Sequence, residues 1–188
     1  MVQEIIIVGS GGLGREILAN FKNSKLSDQF KVIGFVDDGE QKGTIINKIE
    51  VLGDVDYLLN CNNISIVLAI GNPIIRKKIA EKIGRNSSIN FPNIIHPNVS
   101  IQDSEYFKIG KGCFISEGCI ITTNVTLENF CFINIGCSLH HDTCIESYSV
   151  LMPGVRITGG ATIGEASYIS PNIALSKNIK IPKESILN

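Results

Sequence analysis

From Ile109 to Leu187 every sixth residue is Ile or Leu, fourteen positions in succession without a miss. About a quarter of the chain is Ile or Leu, so a run this long is a structural repeat and not chance. A period of six fits neither an α-helix nor a two-faced strand. It fits a coil with three short flat sides, one hexapeptide per side, each turning its aliphatic residue inward. The residue four places after each aliphatic is mostly small: Cys113, Cys119, Val125, Cys131, Cys137, Thr143, Ser149, Val155, Ala161, Ser167 and Ser185, with Ile173 and Ile179 larger. A triangular interior has room for one branched and one small side chain per side, so the pairing is what close packing asks for. The expectation is a parallel β-helix of four to five coils, about 20 Å tall at about 4.8 Å per coil. Ile95 and Ile101 precede the run, and a two-residue insertion around Glu105 to Lys108 breaks the phase before Ile109.

Residues 1–84 have another texture. An apolar strand, Gln3 to Val8, runs directly into Gly9-Ser10-Gly11-Gly12-Leu13-Gly14 and a helical segment from about Arg15 to Lys22. A strand from Val32 to Val36 ends in Asp37-Asp38, and a further strand, Ile64 to Ile70, leads through Gly71-Asn72-Pro73 into a helix from about Ile74 to Ile83. This alternation predicts a small Rossmann-like parallel α/β domain. Residues 85–94 read as a linker, and residues 95–188 as the β-helix.

The glycines fit GxGxxG, with Asp37 about twenty residues beyond. Glycines let a phosphate approach backbone N–H groups at a helix N-terminus, and an acid ending the second strand can meet a ribose or base. Three readings stay open: a nucleotide or sugar phosphate held by Gly9, Gly11, Gly12 and Leu13 with Asp37 and Asp38; a tight structural turn; or NAD. A dinucleotide needs two mononucleotide-binding halves, and about 84 residues supply one.

The chain has 17 basic and 18 acidic residues and no basic stripe interleaved with aromatics, so nucleic-acid binding is not expected. Its apolar runs are too short for membrane insertion, and Gly9 to Gly14 interrupts anything like a signal peptide. A cytoplasmic location follows as the default. Four of the six cysteines fill the small inward slot, and none makes a CxxC pair, so they read as buried hydrophobes with no metal role. Cys61 and Cys144 have no assigned function.

GSGGLGRE, FVDD, AIGNP, IIHPNV and NIGCSLHHDTCI, set in a Rossmann-like half followed by hexapeptide repeats, resemble the bacterial sugar O- and N-acyltransferases over essentially the whole chain. The resemblance implies a left-handed coil, acetyl-CoA as co-substrate, no metal, and a homotrimer with active sites in clefts between neighbouring β-helices. It implies His141 as general base, Asp142 as its partner, Asn134 as a substrate contact, and the N–H of Gly159, beside Gly160, facing the acetyl carbonyl. His141 stands two residues past the inward Leu139 and so points outward, and imidazole changes charge near neutral pH, as a base for acyl transfer requires. His140 reads as a cleft wall and His96 as structural. Outward Phe132, Ile135 and Tyr148 would be costly to leave wet, which gives trimerisation a physical motive.

The sequence departs from the family at Leu13 and Val150, where similar proteins carry histidines. It also ends at Asn188, where they continue with a further coil and a Pro-Ala-Lys element; two readings stay open, a naturally short chain with a weaker hold on coenzyme A, or a missing end. The expected activity is N-acetylation of a nucleotide-linked amino sugar for surface glycans, by direct attack in a ternary complex. O-acetylation of sialic acid or another sugar is the alternative, a non-catalytic β-helix scaffold a second, and an NAD-dependent oxidoreductase a third.

Overall fold

The computed structural model describes residues 2–188 and divides into two compact units, residues 1–71 with 78–92, and residues 72–77 with 93–188. In the first unit, β1 (Gln3–Val8) is fully buried from Ile5 onward and pairs in parallel with two neighbours, β2 (Phe30–Val36) and, further along the chain, the strand Ile64–Leu68. Between β1 and β2 lies α1 (Gly12–Asn23), which turns Ile17, Leu18 and Phe21 to the sheet. Phe21 meets Phe30 edge-on at 5.8 Å between ring centroids.

A hairpin follows that the apolar pattern does not announce: β3 (Ile45–Ile46) and β4 (Ile49–Gly53), antiparallel, joined by Asn47 and Lys48 at positive φ. Two consecutive left-handed residues are the geometry of a two-residue hairpin turn. β5 (Ile64–Leu68) and β6 (Ile89–Asn90) complete a six-stranded sheet ordered β3-β4-β2-β1-β5-β6, parallel except for β3.

The second unit is a left-handed parallel β-helix. Two-residue strands stack into three sheets with partners eighteen residues apart, Phe114 over Phe132 over Val150 over Tyr168 in one of them. The two-residue insertion falls between the strands Ser100–Ile101 and Lys108–Ile109. Ile115 to Ile169 of the six-residue series are at most 1% exposed, and the small slot from Cys113 to Ser167 is equally closed. All six cysteines are free thiols. Thr143, in the small slot, has a buried hydroxyl without a hydrogen-bond partner among the described residues.

A second six-residue series emerges at the turns. From Gly112 to Glu184 every sixth residue has φ between +53° and +73°. Glycine and asparagine fill eight of these thirteen places because they adopt this region at little cost, yet Phe130, Asp142, Tyr148, Ala166 and Glu184 are held there too. The turns form three corner columns. The first holds Gly112, Phe130, Tyr148, Ala166 and Glu184; the second Gly118, Gly136, Gly154 and Asn172; the third Asn124, Asp142, Gly160 and Asn178.

The outer face of the sheet containing Phe132 is dry at Phe114, Phe132 and Val150, half-buried at Tyr168 and open at Ile186. Phe132 is 1% exposed, stacked on Phe114 and covered by the guanidinium of Arg76 at 5.6 Å from its ring. Arg76 is completely buried and donates Nε–H to the carbonyl of Phe130 at 2.7 Å; burial lowers its pKa to about 10. Tyr148 stacks flat on Phe130 at 5.4 Å. The expectation that Phe132 stays exposed until a partner covers it is therefore corrected, since its own chain covers it; Tyr148 stacks on Phe130 but stays partly exposed. Ile120 and Ile135 remain exposed, at 43% and 50%.

Candidate functional site

His141 and Asp142 sit on the third corner, where the chain turns between the strands Ser138–Leu139 and Cys144–Ile145. Asp142 takes the left-handed turn position at φ +60°, which swings its carboxylate beside the preceding ring. Its Oδ2 lies 2.8 Å from Nδ1 of His141, and its Oδ1 accepts from Nδ2 of Asn124 at 3.2 Å. Both side chains are about half exposed. The hydrogen bond from His141 is the main cause that holds the Asp142 carboxyl below its ordinary range, helped by Asn124 and Lys177.

Eighteen residues on, Gly159 lies directly over His141. A Cβ built on Gly159 would fall on the ring atoms Cε1, Nε2 and Nδ1 of the imidazole, so the ring fills the place where any other residue would carry a side chain. Gly160 donates its N–H to the carbonyl of His141 at 2.9 Å, and its own missing side chain leaves space that Oδ1 of Asn178 enters from the coil beyond. The N–H of Gly159 has no acceptor among the described residues, although the residue is buried.

The residue before each corner position carries a left-over N–H throughout the β-helix, and the corners differ in its fate. On the first, Asn129 accepts from Lys111, Glu128 from Ser147 and Glu146 from Glu165, while the N–H groups of Asn129 and Lys183 find no acceptor among the described residues. On the second, Oδ1 of Asn134 accepts from Ile135 at 2.7 Å, Pro153 and Pro171 have no N–H to offer, and Glu117 finds no acceptor among the described residues. On the third, Thr123, His141, Gly159 and Lys177 find no acceptor among the described residues.

Asn134 is buried, 6% exposed, and keeps its Nδ2 for another partner; it precedes the second corner, and none of its hydrogen bonds reaches His141. His140 is exposed. His96 is buried, with Nδ1 accepting from the N–H of Asn98 at 3.1 Å.

In the first unit, Gly9 (φ +104°) and Gly14 are required by close approach: a Cβ on Gly9 would lie 2.7 Å from the carbonyl oxygen of Ala69, and one on Gly14 would meet the carbonyl of Gly9. Gly11 and Gly12 are exposed, with no atom near where a Cβ would stand, and they open α1 without a side-chain cap. Leu13 follows, half-buried. Asp37 is spoken for within the unit. Its Oδ2 accepts from both N–H and Oγ–H of Ser10 at 2.7 Å, and its Oδ1 from the N–H of Gly39 at 2.8 Å. Burial alone would raise its pKa, but these bonds outweigh it and the net shift is downward. Asp38 accepts the N–H of Val55 at 2.8 Å through Oδ1. Sequence reasoning missed the role of Ser10, whose only signal was its place between two glycines opposite an acid-ending strand. Among the described residues no group of three or more His, Cys, Asp or Glu side chains could hold a metal, and no helix is long and apolar enough to cross a membrane.

An α/β unit with a glycine turn, followed by a left-handed β-helix with an exposed His-Asp pair, defines the class of fold. Within it, residues 4–83 match the PglD N-terminal domain family. A search of curated protein sequences finds no match. Solved structures share the fold of the whole chain. The acetyltransferase domain of PglB from Neisseria gonorrhoeae FA1090, in complex with acetyl coenzyme A, aligns at TM-score 0.87 and 22% identity over 99% of this chain and 88% of that one. A mutant of perosamine N-acetyltransferase from Caulobacter crescentus, in complex with CoA and GDP-perosamine, aligns at TM-score 0.86 and 20% identity over 99% and 86%. WeeI from Acinetobacter baumannii AYE aligns at TM-score 0.66 and 22% identity over 100% and 92%.

Proposed function

We propose that this protein is an acetyl-CoA-dependent acetyltransferase that N-acetylates a nucleotide-linked amino sugar in surface glycan biosynthesis. It works in the cytoplasm as a homotrimer, with active sites in the clefts between neighbouring β-helices. The observation that carries the reading is the pairing of His141, oriented by Asp142, with the unsatisfied N–H of Gly159 directly over it. The similar folds of sugar acetyltransferases support it. The orphaned amide also fits a thioester carbonyl, the missing Cβ lets the His141 ring lie beside it, and acetyl-CoA would supply the activated acetyl group there.

With Nδ1–H turned to Asp142, Nε2 of His141 carries the free lone pair and takes a proton from the attacking amine. Asp142 stabilises the imidazolium that forms. The amine nitrogen bonds to the carbonyl carbon, and the Gly159 N–H donates to the oxygen as it gains negative charge. The carbon–sulfur bond then breaks, and His141 passes its proton to the departing thiolate. No acyl-enzyme is formed.

Nδ2 of Asn134 is left to donate to the sugar. In this reading Asn134 and His141, which belong to different corners of one chain, meet in a cleft formed by two copies. Gly9, Gly11, Gly12 and Leu13 present the start of α1 to the nucleotide phosphates. Asp37 serves that site at one remove, by fixing Ser10 and Gly39, and Asp38 keeps Oδ2 for a ribose or base.

Thiol release from acetyl-CoA tests the reading, with UDP- and GDP-linked amino sugars, sialic acid, free hexoses and serine as acceptors. The expected result is release with an amino-sugar nucleotide, reduced about 10²–10⁴-fold in His141→Ala. Release with sialic acid instead makes the enzyme an O-acetyltransferase. No release and no acetyl-CoA binding overturns the enzymatic reading in favour of a scaffold.

A further inference from the structure

The third corner contains a residue that the reaction above does not use. Asn124 stands eighteen residues before Asp142, in the same column and the same left-handed conformation, φ +53° against +60°. Its Nδ2 donates to Oδ1 of Asp142 while Oδ2 of that carboxylate faces His141. Each carboxylate oxygen thus has one side-chain partner, and the two together set the plane of the group.

On the other side of Asp142 the column offers nothing. The next residue in line, Gly160, has no side chain, and Oδ1 of Asn178 enters the space that a Gly160 Cβ would occupy. Asp142 is 58% exposed and sits on a turn, so neither packing nor burial limits its χ1. The backbone is anchored: the N–H of Asp142 donates to the carbonyl of Thr123 at 3.2 Å, and Oγ1 of Thr123 to Asp103 at 2.7 Å. The anchored turn therefore places Asn124 under Asp142, and the Asn124 amide is what restrains the carboxylate.

We infer that Asn124 is a positioning residue for the His141–Asp142 pair: its side-chain amide holds the Asp142 carboxylate in the orientation that meets Nδ1 of His141. This rests on His141 as the base. A positive φ by itself selects asparagine or glycine, so the competing explanation is that Asn124 is present only for its backbone. The two explanations part at Asn124→Gly, which satisfies the backbone and deletes the amide.

The test is a double-mutant cycle of Asn124→Gly, Asp142→Asn and the combined variant, read as kcat/KM and as the ¹⁵N signature of the neutral His141 ring. Asn124→Gly is expected to lower kcat/KM about tenfold, in the range found for residues that orient a functional group from behind. The Asp142→Asn background is expected to show no further loss, since coupled residues are non-additive. The proton fraction on Nδ1 of His141 is expected to fall in Asn124→Gly, towards its value in Asp142→Asn. Equal losses in both backgrounds, or an unchanged ¹⁵N signature, would overturn the positioning role. The ring spectrum needs no turnover, so it decides the matter for Asn124 even where no acceptor supports acetyl transfer; that second result would fall on the proposed function alone.

Discussion

At the first corner of the β-helix, Glu128 and Glu146 each reach one coil forward to accept a left-over N–H, and Asn129 reaches back to accept another. At the third corner the same backbone position recurs at Thr123, His141, Gly159 and Lys177, and no side chain accepts from it. The two columns share the period, the left-handed turn and the strand spacing. What differs is how far side chains close the backbone: three of the five such N–H groups at the first corner, Lys111, Ser147 and Glu165, are accepted, and none at the third. Closing it at the first corner stabilises the coil: Phe130 and Tyr148 stack there in a conformation costly for bulky residues, with Arg76 bonded to the Phe130 carbonyl. Leaving it open at the third corner gives up some stability, and in the proposed function it keeps the Gly159 N–H for the acetyl carbonyl.

This contrast breaks if substitutions at the two corners have the same kind of effect. The largest expected effect is at the third. Gly159→Ala puts a methyl group where the exposed His141 ring lies; the ring can swing into solvent at little cost in stability, so a loss of about 10²-fold or more in kcat is expected with Tm nearly unchanged. A Tm fall as large as the activity loss would show that Gly159 serves packing. Next comes Arg76→Ala on the first corner, which leaves the Phe130 carbonyl without the Nε–H that it accepts and opens a cavity over Phe132. About 3 kcal/mol of destabilisation is expected from chemical denaturation. Glu128→Ala should show the smallest effect, about 1 kcal/mol for the lost bonds to the N–H and hydroxyl of Ser147, with kcat unchanged. A catalytic defect in Glu128→Ala would erase the distinction between a closed and an open corner.

The coil was legible because its constraint is one-dimensional. A buried aliphatic every six residues leaves one way to close, and Ile115 to Ile169 are inward as the period requires. The stacking of Gly159 on His141 follows from the same count, since eighteen residues make one coil. The restraint of Asp142 by Asn124 follows from it too, though only once the turn geometry is known. Contacts that join residues far apart in sequence and outside the period were not legible. Arg76 bonding Phe130 is one; nothing in IIRKK marks which cation is buried. Asp37 is another: a fingerprint acid reads as a ligand contact, whereas both its oxygens accept protein hydrogen bonds. The exposed motive for Phe132 failed for the same reason, because an outward direction from a sheet says nothing about what lies over it.

The vertical step between His141 and Gly159 is one strand-to-strand spacing of a hydrogen-bonded sheet. The distance from His141 to the Gly159 amide is thus measured by a ladder of peptide bonds and owes little to side-chain choice. Surface substitutions between residues 142 and 158 leave it alone. A change in chain length there does not: adding or removing one residue rotates Gly159 away from the third corner, and a whole inserted coil restores the angle but doubles the height. Descendants of this chain can redraw its outer faces freely, yet to keep His141 under Gly159 they must conserve the number of residues between two points as strictly as a packed core conserves a side chain.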